Sequence, residues 1–157
     1  MEYLLDSNIF IQSRKQLPMD VWVTFWQRMS ELAQSGRVVS CEKVKDEIDN
    51  DDVYDWVKTN APKGFFKPLD AQTMASYAEV QQWVAGQAFT ESAKSDFATV
   101  ADGFLIAMAK AKGMTMVTLE KSNPLRKNRV MIPDACEAIG ARCLDLNDAL
   151  RELGVTI

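Results

Sequence analysis

Tyr3-Leu4-Leu5 is an apolar run with no polar alternation. A strand exposed on one face alternates. An unbroken run suits a strand covered on both faces, as in a parallel sheet. Asp6 follows at once, so an acid stands where the strand ends. Ser7 or Asn8 is placed to cap a following helix by accepting a bond from a free N–H group. Phe10 and Ile11 begin that helix's buried side. Open α/β sheets collect ligands in the crevice beyond the carboxyl ends of their strands. Other acids that reach Asp6 would share that crevice.

The rest of the chain alternates strands and helices. A turn at 16–18 precedes a helix over 20–35, where Trp22, Phe25, Trp26, Met29, Leu32 and Ala33 recur at steps of three and four. Its aromatic stripe is expected in the core, and Gly36 ends it. Residues 37–40 form a short strand, with Ser40 capping a helix over 41–48 whose Val44 and Ile48 face inward. A solvated turn at 49–52 leads to a helix over 53–59, a loop at 61–64 and a Phe65-Phe66 plug. Asp70 caps a helix over 71–87 carrying Met74, Tyr77, Val80 and Val84 inward, and 91–98 is an ambiguous short helix. A helix over 103–112, rich in small alanines and closed by Gly113, packs closely on a sheet. Strands follow at 115–119 and 130–132, separated by a polar loop over 121–129. Pro133 opens a helix at its first turn, and an edge strand at 142–144 precedes a last helix over 147–153. Strands alternating with helices argue for an α/β fold, a parallel sheet covered on both sides, in a single domain over 1–157.

Composition narrows the chemistry. The chain has 157 residues, 47% of them hydrophobic and 25% charged, which suits a globular domain with a real core. No basic flank precedes an apolar stretch at the start, so no signal peptide is expected. No run approaches the roughly 20 apolar residues that span a bilayer. Cys41, Cys136 and Cys143 are odd in number and lack C-x-x-C spacing, so reduced thiols in a cytoplasmic protein are expected rather than a zinc site. Histidine is absent. His-dependent triads and His general bases are thereby excluded, and any metal must be held by oxygen, which favours Mg²⁺ or Mn²⁺. The net charge of −4 argues against simple electrostatic binding of nucleic acid. It leaves room for a metal-dependent nuclease, because divalent ions bring their charge to the site itself.

Four acids stand at comparable places. Asp6 ends the first strand, Glu47 lies on the helix after the second, Asp102 opens the alanine-rich helix, and Glu120 follows Val117-Thr118-Leu119. Singly, each reads as a cap or a solvated surface acid. Together, clustered carboxylates repel and raise one another's pKa unless a cation, a shared proton or solvent intervenes. A divalent ion in phosphodiester hydrolysis binds the phosphate, acidifies the attacking water and stabilises the leaving oxygen, with no histidine required.

Leu4-Leu5-Asp6-Ser7-Asn8-Ile9-Phe10, Val44-x-x-Glu47-Ile48, Ala101-Asp102-Gly103-Phe104-Leu105-Ile106-Ala107 and Val117-Thr118-Leu119-Glu120 resemble, in order, the four motifs of the PIN domain. PIN domains are metal-dependent ribonucleases, many of them VapC-like toxins of toxin–antitoxin pairs. The opening, together with Ile132-Pro133-Asp134-Ala135-Cys136, is similar to a bacterial and archaeal PIN-like subfamily long known only as uncharacterised. The resemblance implies a three-layer α/β/α sandwich around a parallel sheet of four to five strands, and a homodimer. It carries metal binding and catalysis, with Mg²⁺ or Mn²⁺, onto Asp6, Glu47, Asp102 and Glu120. Ser7, Asn8 and Thr118 would orient carboxylates or a water. The fourth acid is Asp in many relatives, and Glu120 is longer, with a role through water in view. Asp46 and Asp96 are its substitutes, Asp96 otherwise a surface residue.

Lys121, Arg126, Lys127 and Arg129 follow Glu120 and would hold RNA phosphates beside the metal rim. Arg14 and Lys15 offer a second edge. A solvated charge run is the plain alternative. The implied function is an endoribonuclease with an RNA substrate and a protein antitoxin, and no membrane. The alternative is a catalytically inactive PIN-like module that binds RNA or protein. A phosphotransferase using Asp6 as nucleophile fits poorly, because position 8 of the D-x-D signature is Asn.

Overall fold

The computed structural model describes residues 2–157. β1 (Tyr3–Leu5) leads into α1 (Ser7–Gln16) and α2 (Val23–Gln34). β2 (Val38–Cys41) follows, then α3 (Glu42–Ile48), α4 (Val53–Asn60) and β3 (Phe66–Lys67). Next come α5 (Ala71–Ala85), α6 (Glu91–Thr99), α7 (Asp102–Lys112) and β4 (Thr115–Val117). α8 (Ile132–Ile139), β5 (Cys143–Leu144) and α9 (Leu146–Glu152) close the chain.

The strands form one sheet in the order β3-β2-β1-β4-β5, and every neighbouring pair is parallel. Leu4 aligns with Val39 on one side and Met116 on the other. β1 is therefore central, and Tyr3, Leu4 and Leu5 are all buried, as the unbroken apolar run requires. Helices flank the sheet, giving the three-layer α/β/α arrangement. α1 contacts α3 and α4, and α2 contacts α4, while α5, α6 and α8 gather about α7. Leu4, Ile9, Ile48, Leu105, Ile106 and Met116 are among the largest fully buried side chains.

The order of the strands sets the site. From β1 the chain steps outward to β2 and β3. It then returns through α5, α6 and α7 to place β4 on the opposite side of β1. The switch point lies between β1 and β4, and parallel sheets open a crevice there beyond the strand ends. Asp6 leaves β1 at that place, and Thr118-Leu119-Glu120 leaves β4.

Several local expectations need correction. The first helix is entered through Asp6, not capped by Ser7 or Asn8, which lie inside it. β2 runs one residue further than expected, so Ser40 stays in the sheet and donates to the Leu5 carbonyl at 2.7 Å, leaving Cys41 at the cap position of α3. Residues 130–132 form no strand. Val130 and Met131 are buried loop, and Ile132 already belongs to α8, whose first turn holds Pro133. Phe66–Lys67, read as a plug, is the edge strand β3. Trp22 is 44% exposed and Met74 41%, so neither joins the core with Phe25, Trp26, Val80 and Val84.

Candidate functional site

Asp6 directly follows the central strand β1 and is itself fully buried. Its Oδ2 accepts a hydrogen bond from Thr118 Oγ1 at 2.9 Å, and the Ser7 hydroxyl lies 3.4 Å from Oδ1. Burial pushes its carboxyl up to about 6. The Thr118 bond and the Asn8 N–H oppose that rise, while the charges of Glu120 and Glu47 add to it. Thr118 also accepts from the Glu120 N–H at 3.1 Å, so one buried hydroxyl ties the ends of β1 and β4 together.

Asp102 opens α7, and among the described residues no hydrogen bond or ion pair reaches its carboxylate. Burial drives it upward to about 8, followed by the charges of Asp6, Glu120 and Glu47, with Arg129 pulling weakly the other way. Its depth depends on Gly103. A Cβ there would lie 3.0 Å from Tyr77 Cε2 and 3.1 Å from Phe97 Cε1, so any larger residue would press the start of α7 against rings of α5 and α6.

Glu47 is exposed on α3, and its Oε2 accepts from the Ala101 N–H at 3.2 Å, beside the start of α7. Glu120 is enclosed. Its Oε1 accepts from the Ile132 N–H and its Oε2 from Arg129 Nη2, both at 3.1 Å. The other three acids, Asp6, Glu120 and Glu47, each add to the upward pressure on the Asp102 carboxyl. Among the described residues, however, no three acids or cysteines are arranged to hold a metal ion as they stand.

A cleft of about 370 Å³ opens over this cluster, a size common for small-ligand sites. Ser7, Asn8, Glu47 and Asp102 line it on the acidic side, and Arg126, Asn128, Arg129 and Val130 on the other. α6 forms its remaining wall with Ala93, Asp96 and Phe97, continued by Val100 just beyond the helix. Those four recur at helical spacing. That spacing was the available signal that Asp96, weighed as a surface acid, faces the site. Asn128 had no such signal. Asp46 is exposed and does not line the cleft. A shallower groove beside it holds Asn8, Gln12, Gln16, Leu119, Glu120 and Lys121. Asn8 stands between the two.

The basic wall is a loop without regular structure, yet it is held throughout. Asp134 accepts from the Asn123 N–H at 2.8 Å and from the Ser122 hydroxyl. The Thr90 N–H donates to the Lys127 carbonyl at 2.9 Å, and the Lys127 ammonium lies over the Phe89 ring. Arg126 Nε donates to Asn128 Oδ1 at 2.8 Å. Arg14 and Lys15 line neither cleft. Arg14 is paired with Asp51 at 2.7 Å and with Asp52, joining α1 to the turn before α4.

Residues 3–157 match a protein family described as a domain of unknown function, DUF4411. The chain belongs to that family. No curated protein matches this DUF4411 chain in sequence. Among solved structures it is similar to VapBC2 from Rickettsia felis bound to a DNA fragment from their promoter. That match has 13% identity and a TM-score of 0.55, and it covers 92% of this chain and 98% of that one. It is also similar to FitAcB from Neisseria gonorrhoeae, with 16% identity and a TM-score of 0.51 over 90% of this chain and 96% of that one. At such identities the likeness is one of fold, and it agrees with the parallel-sheet sandwich described above. Among the described residues no helix is long and apolar enough to cross a membrane.

Proposed function

We propose that this DUF4411 chain is a Mg²⁺- or Mn²⁺-dependent endoribonuclease, the toxin of a toxin–antitoxin pair, acting as a homodimer. The observation that carries the reading is the mutual pressure among Asp6, Asp102, Glu47 and Glu120 at the sheet's switch point, with an arginine-bearing wall across the cleft from Glu47 and Asp102. The donor set fits a hard divalent cation. It is all oxygen, and its buried members are driven toward protonation by burial and by one another, which a cation relieves.

Asp6, Glu47 and Asp102 would hold the ion, and Glu47, exposed and held only by the Ala101 N–H among the described residues, would exchange that bond for it. Glu120 would act through a water while Arg129 occupies it. When bound, the ion supplies a positive centre for the phosphate and an acidified water. The protein's own groups do the remainder. Thr118 fixes the Asp6 carboxylate by its hydrogen bond, and Asn8 offers an amide to a phosphate or a water. Arg126 and Arg129 attract the RNA backbone, with Lys121 and Lys127 extending the positive rim. The likeness to VapBC2, found with a DNA fragment from their promoter, supports a protein antitoxin as partner.

The test is incubation with total and transfer RNA, with and without Mn²⁺, followed by end mapping. Asp6→Asn and Asp102→Asn each abolish cleavage while circular dichroism stays native. Full activity in the double variant, unaffected by EDTA, overturns the reading. A second reading, a PIN-like module that binds RNA or protein without cutting, draws on the engagement of both Glu120 oxygens. RNA binding without turnover in any of several metals would select it.

A further inference from the structure

We propose that Arg129 is a gate on the acidic cleft: in the free protein its guanidinium holds Glu120, and a phosphodiester draws it away, so that nucleic acid and divalent ion bind cooperatively. The proposal rests on the nuclease reading and adds to it how the site is kept shut.

The two partners are unequally placed. The Glu120 side chain is 7% exposed and the Arg129 side chain 48%. The carboxylate is therefore fixed inside, anchored on its other oxygen by the Ile132 N–H. The arginine is the mobile half, and the pair opens by its outward swing. Arg129 lines the cleft, only its Nη2 is engaged, and its other guanidinium donors make no side-chain hydrogen bond among the described residues.

The resident charge has two effects. It occupies an acid that a divalent ion would otherwise draw on, and it repels the ion directly. A phosphate diester offers the guanidinium a bidentate acceptor of the same sign and greater reach into solvent. An ion pair with one half-exposed partner is weak enough to be exchanged in this way. Once Arg129 turns to phosphate, the Glu120 oxygen is free to face the ion. Linkage makes the effect reciprocal: whatever nucleic acid adds to ion affinity, the ion adds to nucleic-acid affinity. Arg126 lines the same cleft but is tied to Asn128 and Met131, with no acid in its grasp, and so serves as the comparison.

Mn²⁺ affinity is measured by calorimetry on the full chain, with and without a short 2′-O-methyl oligoribonucleotide as a slowly cut analogue. In the native protein the oligonucleotide tightens Mn²⁺ by at least about fivefold, the lower end of ordinary coupling. Arg129→Gln binds Mn²⁺ more tightly than native without oligonucleotide and gains little when it is added. Arg126→Gln shows a smaller change alone; it weakens the oligonucleotide, yet at saturating oligonucleotide it keeps the gain in Mn²⁺ affinity. Should Arg129→Gln lose its native circular dichroism, Arg129→Lys, which keeps the charge but loses the fork, is read in its place and gains less from the oligonucleotide than native does. Unchanged or weaker Mn²⁺ binding on replacing Arg129, or equal tightening in both arginine variants, overturns the gate. Asp6→Asn separates the two levels. If it loses Mn²⁺ while Arg129→Gln behaves as native, the gate fails alone; if it binds Mn²⁺ as native does, the nuclease reading fails with it.

Discussion

Thr118 is 1% exposed, and its hydroxyl serves two ends of the sheet at once: it donates to Asp6 and accepts from the Glu120 N–H. Thr118→Val keeps the shape and removes both bonds. It leaves a buried carboxylate short of a donor and an N–H short of an acceptor, a loss of about 1–3 kcal/mol. Urea unfolding should show a lower midpoint with an unchanged slope, and Thr118→Ser should recover most of the loss. An orienting role for Thr118 was implied in the sequence only by the resemblance of Val117-Thr118-Leu119-Glu120 to a PIN-domain motif. Asp6 was legible because it ends an unbroken apolar run, and Asp102 because it opens the alanine-rich helix. The capture of Glu120 by Arg129 and Ile132 was not. It depends on how a nine-residue irregular stretch folds back, and no periodicity encodes that.

Gly103 shows where an element's placement hangs on one missing atom. Alanine there gains helix propensity of about 1 kcal/mol, but it forces a methyl against Tyr77 and Phe97 at 3.0–3.1 Å. Phe97 is buried, and the Tyr77 ring is stacked on Phe104 with centroids 4.0 Å apart, so neither can retreat freely. Overpacking of this kind costs about 1–3 kcal/mol, which outweighs the gain. Gly103→Ala should lower the melting temperature by about 2–4 °C per net kcal/mol lost, and calorimetry would detect it. Elements with long apolar periodicity, α5 and α7, were legible in the sequence nearly to the residue. The misses were short. Val130-Met131-Ile132 is apolar and β-branched at both ends, which suits a strand and a buried loop equally, and Pro133 decides for the helix. Two-residue β3 exists only because β2 offers Phe66 and Lys67 a partner, a tertiary fact. Trp22 fell on the predicted stripe, but α2 begins one residue later, so it stands outside the helix that would have turned it inward.

At the scale of the whole molecule, the cluster makes folding answer to pH. Asp6 and Asp102 have folded-state values of about 6 and about 8, above the ordinary range near 3.9 of an unfolded Asp. Between those limits the folded protein holds protons that the unfolded chain has released, so stability falls as pH rises. The loss begins above about pH 4, levels off past about 6 for Asp6 and continues to about 8 for Asp102. Asp70 and Glu152 act in the opposite sense. Lys112 holds Asp70, and Arg142 holds Glu152, near about 2, so their contribution is lost only as pH falls through that value. The two limbs do not overlap. Metal-free protein should therefore melt at a lower temperature at pH 8 than at pH 5. Asp102→Asn should flatten that slope and raise the melting temperature at pH 8. A divalent cation that binds the ionised cluster stabilises the fold by mass action, and more at pH 8 than at pH 5, where Asp102 keeps its proton. A native protein whose melting temperature is level from pH 5 to pH 8, with or without Mn²⁺, would mean that the carboxylates do not share one pocket.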